Sequence, residues 1–285
     1  MRDLWVRIRR RFSRDTLATL SVIVIALYIL AGVFALAGFL APGYAEQIGE
    51  AYAPPSFAHP LHILGLDVLG RSVLERLVQG SRVALIVGFF STLIAIPLGT
   101  VLGLVAGYFR GWMDAFVVWL YSTLDAVPTI LLLLALALVL PTGKGLATVC
   151  IALGVTSWVS TCRYVRGEVI RQKELDYIRA ARSIGATDSR ILFVHLLPNV
   201  LHLVLVQASL VFVYSIKSEV ILSYLGVGVQ NFPSWGVMID DARLELVGRG
   251  VWWQFAAATS ALFVLVLAFN LFNDALKDAL DPKEG

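Results

Sequence analysis

Apolar residues along this chain gather in long runs, separated by short charged stretches, rather than alternating with polar ones. Crossing about 30 Å of hydrocarbon at about 1.5 Å per residue takes about 20 apolar residues in a helix. Thr16–Ala41, Val83–Phe109 and Gly250–Asn273 meet that length outright, and Gly145–Cys162 only just. Ala115–Gly143 meets it with Asp125 as an interruption, and Asn199–Val227 with Lys217 and Glu219. The pattern predicts an all-α membrane protein of six transmembrane helices. The first run exceeds the roughly 7–15 residues of a secretory signal core, so it reads as a retained span.

The connections divide the rest into a basic N-terminus (1–15), the first helix (16–41), an outer segment (42–82) and a five-helix core (83–285). Pro42, Pro54, Pro55 and Pro60 keep the first half of the outer segment extended or turning. Its second half, Leu69–Val78, puts Leu69, Val73, Leu74, Leu77 and Val78 on one helical face and Arg71, Glu75 and Arg76 opposite. That is the pattern of a helix lying in the membrane interface, or of an amphipathic lead into the second span. Within the second span, Gly99, Gly103 and Gly107 predict close approach of another helix. Pro97 and Pro128 predict kinks. The connector 163–198 differs from the others. Good helix formers run to Ser183, Gly185 offers a stop, and Thr187 or Asp188 can cap a second helix before Pro198. A helix–glycine turn–helix this ordered reads as a docking surface.

Composition agrees: 58% hydrophobic and 15% charged residues, with mean hydropathy +0.80, exclude a soluble surface. Charge supplies an orientation. Of the 23 Lys and Arg, only Arg71, Arg76, Arg82, Lys144, Arg243 and Arg249 fall in loops on the side away from the N-terminus, and Lys217 lies within a span. The positive-inside rule then predicts a multi-pass inner-membrane protein with both termini and the 163–198 connector cytoplasmic. The net charge of +3 is spent on topology and gives no sign of nucleic acid. Cys150 and Cys162 are separated by about 18 Å of one helix, beyond the reach of a disulfide.

Chemistry of a catalytic kind is missing from the pattern. There is no GxxxxGK[ST] and no GxGxxG after a strand. His59 and His62 lack further ligands nearby, and His195 and His202 sit beside no activated nucleophile. No cofactor, metal or enzymatic activity is expected of the chain itself. The charges inside the spans each cost about 2.5–3.5 kcal/mol at a helix centre, so Asp125, Lys217 and Glu219 should face protein or water. Lys217 and Glu219 are about 200° apart around one helix and cannot pair with each other. These charges read either as interhelical partners or as lining of a translocation path.

Asp176–Asn199, DYIRAARSIGATDSRILFVHLLPN, resembles the cytoplasmic "EAA" loop of ABC importer permeases, with Ala180, Ala181, Gly185 and Leu197-Pro198 as its marks. Arg179 stands where that motif has its leading acid. Gly65–Arg82, GLDVLGRSVLERLVQGSR, is similar to the segment after the first span in the dipeptide/oligopeptide/nickel branch, with Leu66, Ser72 and Glu75 replacing its usual Thr, Asp and Ser. Leu222–Met238, LSYLGVGVQNFPSWGVM, and Phe269–Pro282, FNLFNDALKDALDP, are similar to that branch's outer loop and ending. Length and the first loop look like the C-type subunit. The resemblance implies the type I importer fold, with Asp176, Tyr177, Arg179, Ala180, Ala181, Ser183, Gly185 and Ala186 in a coupling helix. It places Gly226, Pro233, Ser234 and Trp235 near an extracytoplasmic substrate-binding protein. It implies as partners a second, different permease, two ATPase subunits carrying ATP and Mg, and membrane lipid. The substrates it implies are di- and oligopeptides, with nickel chelates or another small solute as the alternative. A secondary transporter is the rival of another class, but it calls for repeated broken helices that the chain lacks. A helix-turn-helix regulator is excluded because the stretch after Gly185 is apolar and runs into a span.

Overall fold

The computed structural model describes residues 15–140 and 145–280 together with Phe12. The six arginines from Arg2 to Arg14, Lys144 and the tail beyond Leu280, including Pro282 of the last motif, lie outside the described residues. In chain order the helices are α1 (Thr16–Leu36), α2 (Val73–Phe109), α3 (Gly111–Asp125), α4 (Thr129–Val139), α5 (Leu146–Gln172), α6 (Asp176–Ser183), α7 (Asp188–Tyr224), α8 (Trp235–Arg249) and α9 (Trp253–Leu280). Among them α1, α2, α5, α7 and α9 are long and apolar enough to cross a membrane. The α3–α4 pair qualifies as a sixth span if taken together, and it is bent by 90° at residues 126–128. Pro128 supplies the reason, since its ring disfavours helical geometry at the residue before it.

Four expectations change. The first helix closes at Leu36 rather than Ala41, because Gly38 takes a left-handed conformation (φ 78°). The stretch 69–78 is not a separate interfacial helix: α2 starts at Val73 and runs unbroken to Phe109. Its charged face is also covered rather than set among headgroups. Glu75 and Arg76 are buried, and Leu69 is the residue left exposed. The second helix of the connector does not stop before Pro198 either. Thr187 caps α7, its hydroxyl accepting from Arg190 N–H (3.4 Å), and the helix then passes through a π-helical stretch, Ile191–Leu196. Such a wide turn absorbs the hydrogen bond that Pro198 cannot donate. Finally, Arg243 and Arg249 lie not in a loop but in α8, capped by Ser234, whose hydroxyl accepts from Val237 N–H (3.2 Å).

Two units make up the chain: residues 1–88, 137–150 and 216–285, and residues 89–136 and 151–215. In the first, α1 packs along α9, and α8 packs on α9. Only Ala18, Ser21, Gly32 and Ala35 of α1 are buried, so its small side chains meet protein and its Leu, Ile and Val face outward. Tyr28 donates to the Ala261 carbonyl (2.9 Å) and lies edge-on to Trp235. Trp235, 1% exposed, donates to the Leu77 carbonyl (3.0 Å) over Gly80, where a Cβ would come within 2.3 Å of the indole. The segment before α2 is fixed by Asp67. Its carboxylate accepts from the backbone of Leu69 and Arg71 and from the guanidinium groups of Arg71 (2.7 Å) and Arg76 (2.6 Å). Arg76 reaches on to Asp241 of α8 (3.0 Å).

In the second unit the three α2 glycines press against α5. A Cβ on Gly99, Gly103 or Gly107 would lie 2.5–2.9 Å from the Trp158 carbonyl, the Cys162 carbonyl, or Val169 and the Arg166 carbonyl. That is the close packing their spacing predicts. The core around this contact is built from Ala95, Ala106, Val117, Tyr121, Trp158, Val159, Cys162 and Val211.

Candidate functional site

Two features of the second unit carry polar chemistry. The first is the connector around α6. This helix is eight residues long, DYIRAARS, and has no side-chain N-cap, so propensity alone would not hold it. Ile178 anchors it, fully buried among Tyr108, Val169, Ile191, Leu192 and Leu196. Ala181 is buried beside it, while Ala180 is exposed. The adjacent alanines therefore do different work: one lets α6 sit close to its neighbours, and the other leaves its outer face low. Gly185 (φ 82°) then reverses the chain, with Gly185 N–H bonded to the Arg182 carbonyl (2.9 Å) and Ala186 N–H to that of Ala181 (3.0 Å). Open space surrounds Gly185, so its backbone conformation is what requires glycine.

Asp176, Tyr177, Arg179, Ala180 and Ser183 all lie on the exposed face, and Ala186 is half-buried against the core. Arg179, standing where the motif has its acid, pairs with Asp176 at 3.6 Å. A carboxylate thus stays on this face one turn earlier, in an exposed pair that adds little to stability. Tyr177 donates to Gln172 (2.9 Å), and burial keeps its phenol above the ordinary tyrosine range, so it stays a neutral donor. Sequence reasoning missed Ile184, which is 87% exposed at the tip of the turn. A large apolar side chain presented this way is the available signal, but only burial data reveal it.

The connector is tied rigidly to the spans. Tyr108, near the end of α2, donates to Asp188 (2.5 Å), carries Arg182 over its ring at 5.3 Å, and accepts Lys173 at its carbonyl (3.4 Å). Nearby, Arg166 of α5 grips Asp114 of α3 through two bonds, 2.5 and 2.9 Å. Such bidentate pairs fix direction as well as distance.

The second feature is a cavity of about 380 Å³ in the same unit. Asp125, the last residue of α3, meets Arg163 of α5 at 2.5 Å, and the guanidinium lies over the Tyr121 ring at 4.6 Å. Sequence reasoning named Asp125 but took Arg163 only as a topological charge. The other two intramembrane charges are elsewhere. Glu219 is buried and meets a hydroxyl one turn on, accepting from Ser223 (2.6 Å), which in turn accepts from Val229 N–H (3.0 Å). A structural bond of this kind pins the turn after α7. Lys217 is exposed and forms no ion pair among the described residues. In the 226–235 loop, Pro233, Ser234 and Trp235 are interior and Gly226 is exposed.

The segment 99–284, which holds both features, matches the family described as the binding-protein-dependent transport system inner membrane component. The chain belongs to this permease family. Residues 3–55 of the permease match the N-terminal TM domain of oligopeptide transport permease C. The permease is 38% identical over 284 residues to the glutathione transport system permease protein GsiD of Pectobacterium atrosepticum, covering 99% of this chain and 92% of that one. It is 36% identical over 285 residues to the dipeptide transport system permease protein DppC of Bacillus subtilis, covering 99% and 85%. The fold is that of the type I importer permeases, and the chain is a membrane-embedded component of a transport system.

Proposed function

We propose that this permease is the C-type half of an unlike permease pair in an ATP-driven importer of short peptides, with α6 as the element that ATPase subunits grip. The observation that carries this is the build of the connector: a short exposed helix, capped by an exposed Ile184, whose root is bonded through Tyr108, Asp188 and Ile178 into α2 and α7. A helix held this firmly moves with the spans rather than against them, so displacement by a nucleotide-driven partner reaches the membrane. In this reading α6 and both termini are cytoplasmic. ATP and Mg belong to the two ATPase subunits, and an extracytoplasmic binding protein delivers substrate on the far side. The peptide class follows the relatives, one named for dipeptide and one for glutathione transport.

Ile184→Glu tests the docking role with little risk to the fold, because the side chain makes no interior contact. Co-purification of the ATPase subunits with the permease should fall at least tenfold and ATP-dependent peptide uptake with it, while membrane insertion stays normal. Full ATPase association in the variant would remove α6 as the grip.

A further inference from the structure

The cavity beside α5 holds more than an ion pair needs. Asp125 and Arg163 sit in helices that qualify as spans, yet their side chains are 45% and 47% exposed. Charges within a span are not tolerated against lipid, and they mark water-filled paths or functional pairs. The Tyr121 ring supports the guanidinium from below, so Arg163 keeps its place if Asp125 lets go. Ser157, also lining the cavity, is 9% exposed, and its hydroxyl oxygen has no hydrogen-bond partner among the described residues. Gln207 and Tyr214 of α7 complete a wall with amide and phenol groups. The volume, about 380 Å³, falls in the range that admits a small organic ligand.

Resting on the permease reading, we propose that this cavity is a transit subsite for a short zwitterionic peptide. Asp125 receives the peptide's ammonium and Arg163 its α-carboxylate, with Ser157 and Gln207 meeting the amide between them. Opposite charges paired in the wall of a cavity that also presents hydroxyl and amide groups suit a ligand that carries both. A zwitterion opens the internal pair and replaces it with two, so neither charge is left unpaired while the peptide is present. When the peptide leaves, the internal pair re-forms, and that competition keeps the subsite weak. A passage requires such weakness, since a site that holds its cargo tightly stops transport.

The test uses the complete importer, with its second permease, ATPase subunits and binding protein, in proteoliposomes. The probes are radiolabelled dialanine and glutathione. Asp125→Asn and Arg163→Gln should each lower uptake at least tenfold, while ATP hydrolysis stimulated by the loaded binding protein stays within twofold. The double variant should do no better than either single one. A photoreactive p-benzoylphenylalanine in place of Ser160, which lines the same cavity, should cross-link to labelled peptide during turnover and be competed by excess unlabelled dialanine. The cross-link is read with both charges intact, so it decides the matter even if the charge variants assemble poorly. Recovery of uptake in the double variant would mark a purely structural pair and overturn the subsite, as would absence of the cross-link in an importer that transports peptide. Failure of the unmodified importer to move either peptide under ATP would overturn the short-peptide reading along with it.

Discussion

Glu245 shows how one side chain depends on its surroundings. It is 6% exposed in α8, and one of its oxygens has no hydrogen-bond partner among the described residues. Burial first, then the neighbouring Asp241 and Asp67, raise its carboxyl to about 7, while Arg76 and Arg249 pull the other way. The single charge of Arg76 is already shared between Asp67 and Asp241, so little cation is left for a third carboxylate. An acid held above its unfolded value of about 4.3 destabilises the fold once ionised. The stability present below about pH 4 is therefore lost as pH rises through about 7. The Tm of the detergent-solubilised permease should fall between pH 5 and 8, and Glu245→Gln should flatten that slope and raise Tm at pH 8. Equal slopes in the two proteins would show that Glu245 does not titrate in this range. None of this is readable from the sequence, where Glu245 is one acid in a charged stretch. Its neighbours come from two stretches of the chain, 67–76 and α8 itself.

Helix pairs were more legible. Glycines at four-residue spacing on α2 announced a close contact, and the partner proved to be α5. The spacing could not name that partner, because a small-residue stripe fits any backbone. The atoms facing Gly103 are the Cys162 carbonyl at 2.8 Å, Val165 Cβ at 2.9 Å and the Arg166 nitrogen at 3.1 Å. These belong to a helix backbone and its roots, which cannot swing aside. Gly103→Leu should destabilise by about 1–3 kcal/mol through overpacking, read as a Tm several degrees lower and a smaller monodisperse fraction. Gly167→Leu is the matched control, on α5 itself but with nothing within 4 Å of the added carbon, and should behave like the unmodified protein. The lead-in to α2 was legible only in part. Its apolar face showed a helix, but the two-sided pattern could not tell lipid headgroups from the carboxylates of Asp67 and Asp241, which are what cover Arg76.

At the scale of the whole molecule, sidedness rests on where Lys and Arg fall along the chain. In a Cys150→Ala, Cys162→Ala background, a cysteine at Ser183 should react with a membrane-impermeant maleimide only after the inner face is opened. A cysteine at Asn231 should react in intact cells. Both positions are exposed, so reversed labelling would invert the topology and detach α6 from any cytoplasmic engine. The sequence by itself determined the helical membrane class and the position of the connector, because these follow from run length, charge and glycine, which act locally. Tertiary structure alone decided which charges meet, that Asp125 finds Arg163 while Glu219 is met by serine hydroxyls. It also decided that Ala181 turns inward and Ala180 outward, and that Ile184 is left bare. Those outcomes depend on which surfaces distant segments bring together, and no window of neighbouring residues contains that information.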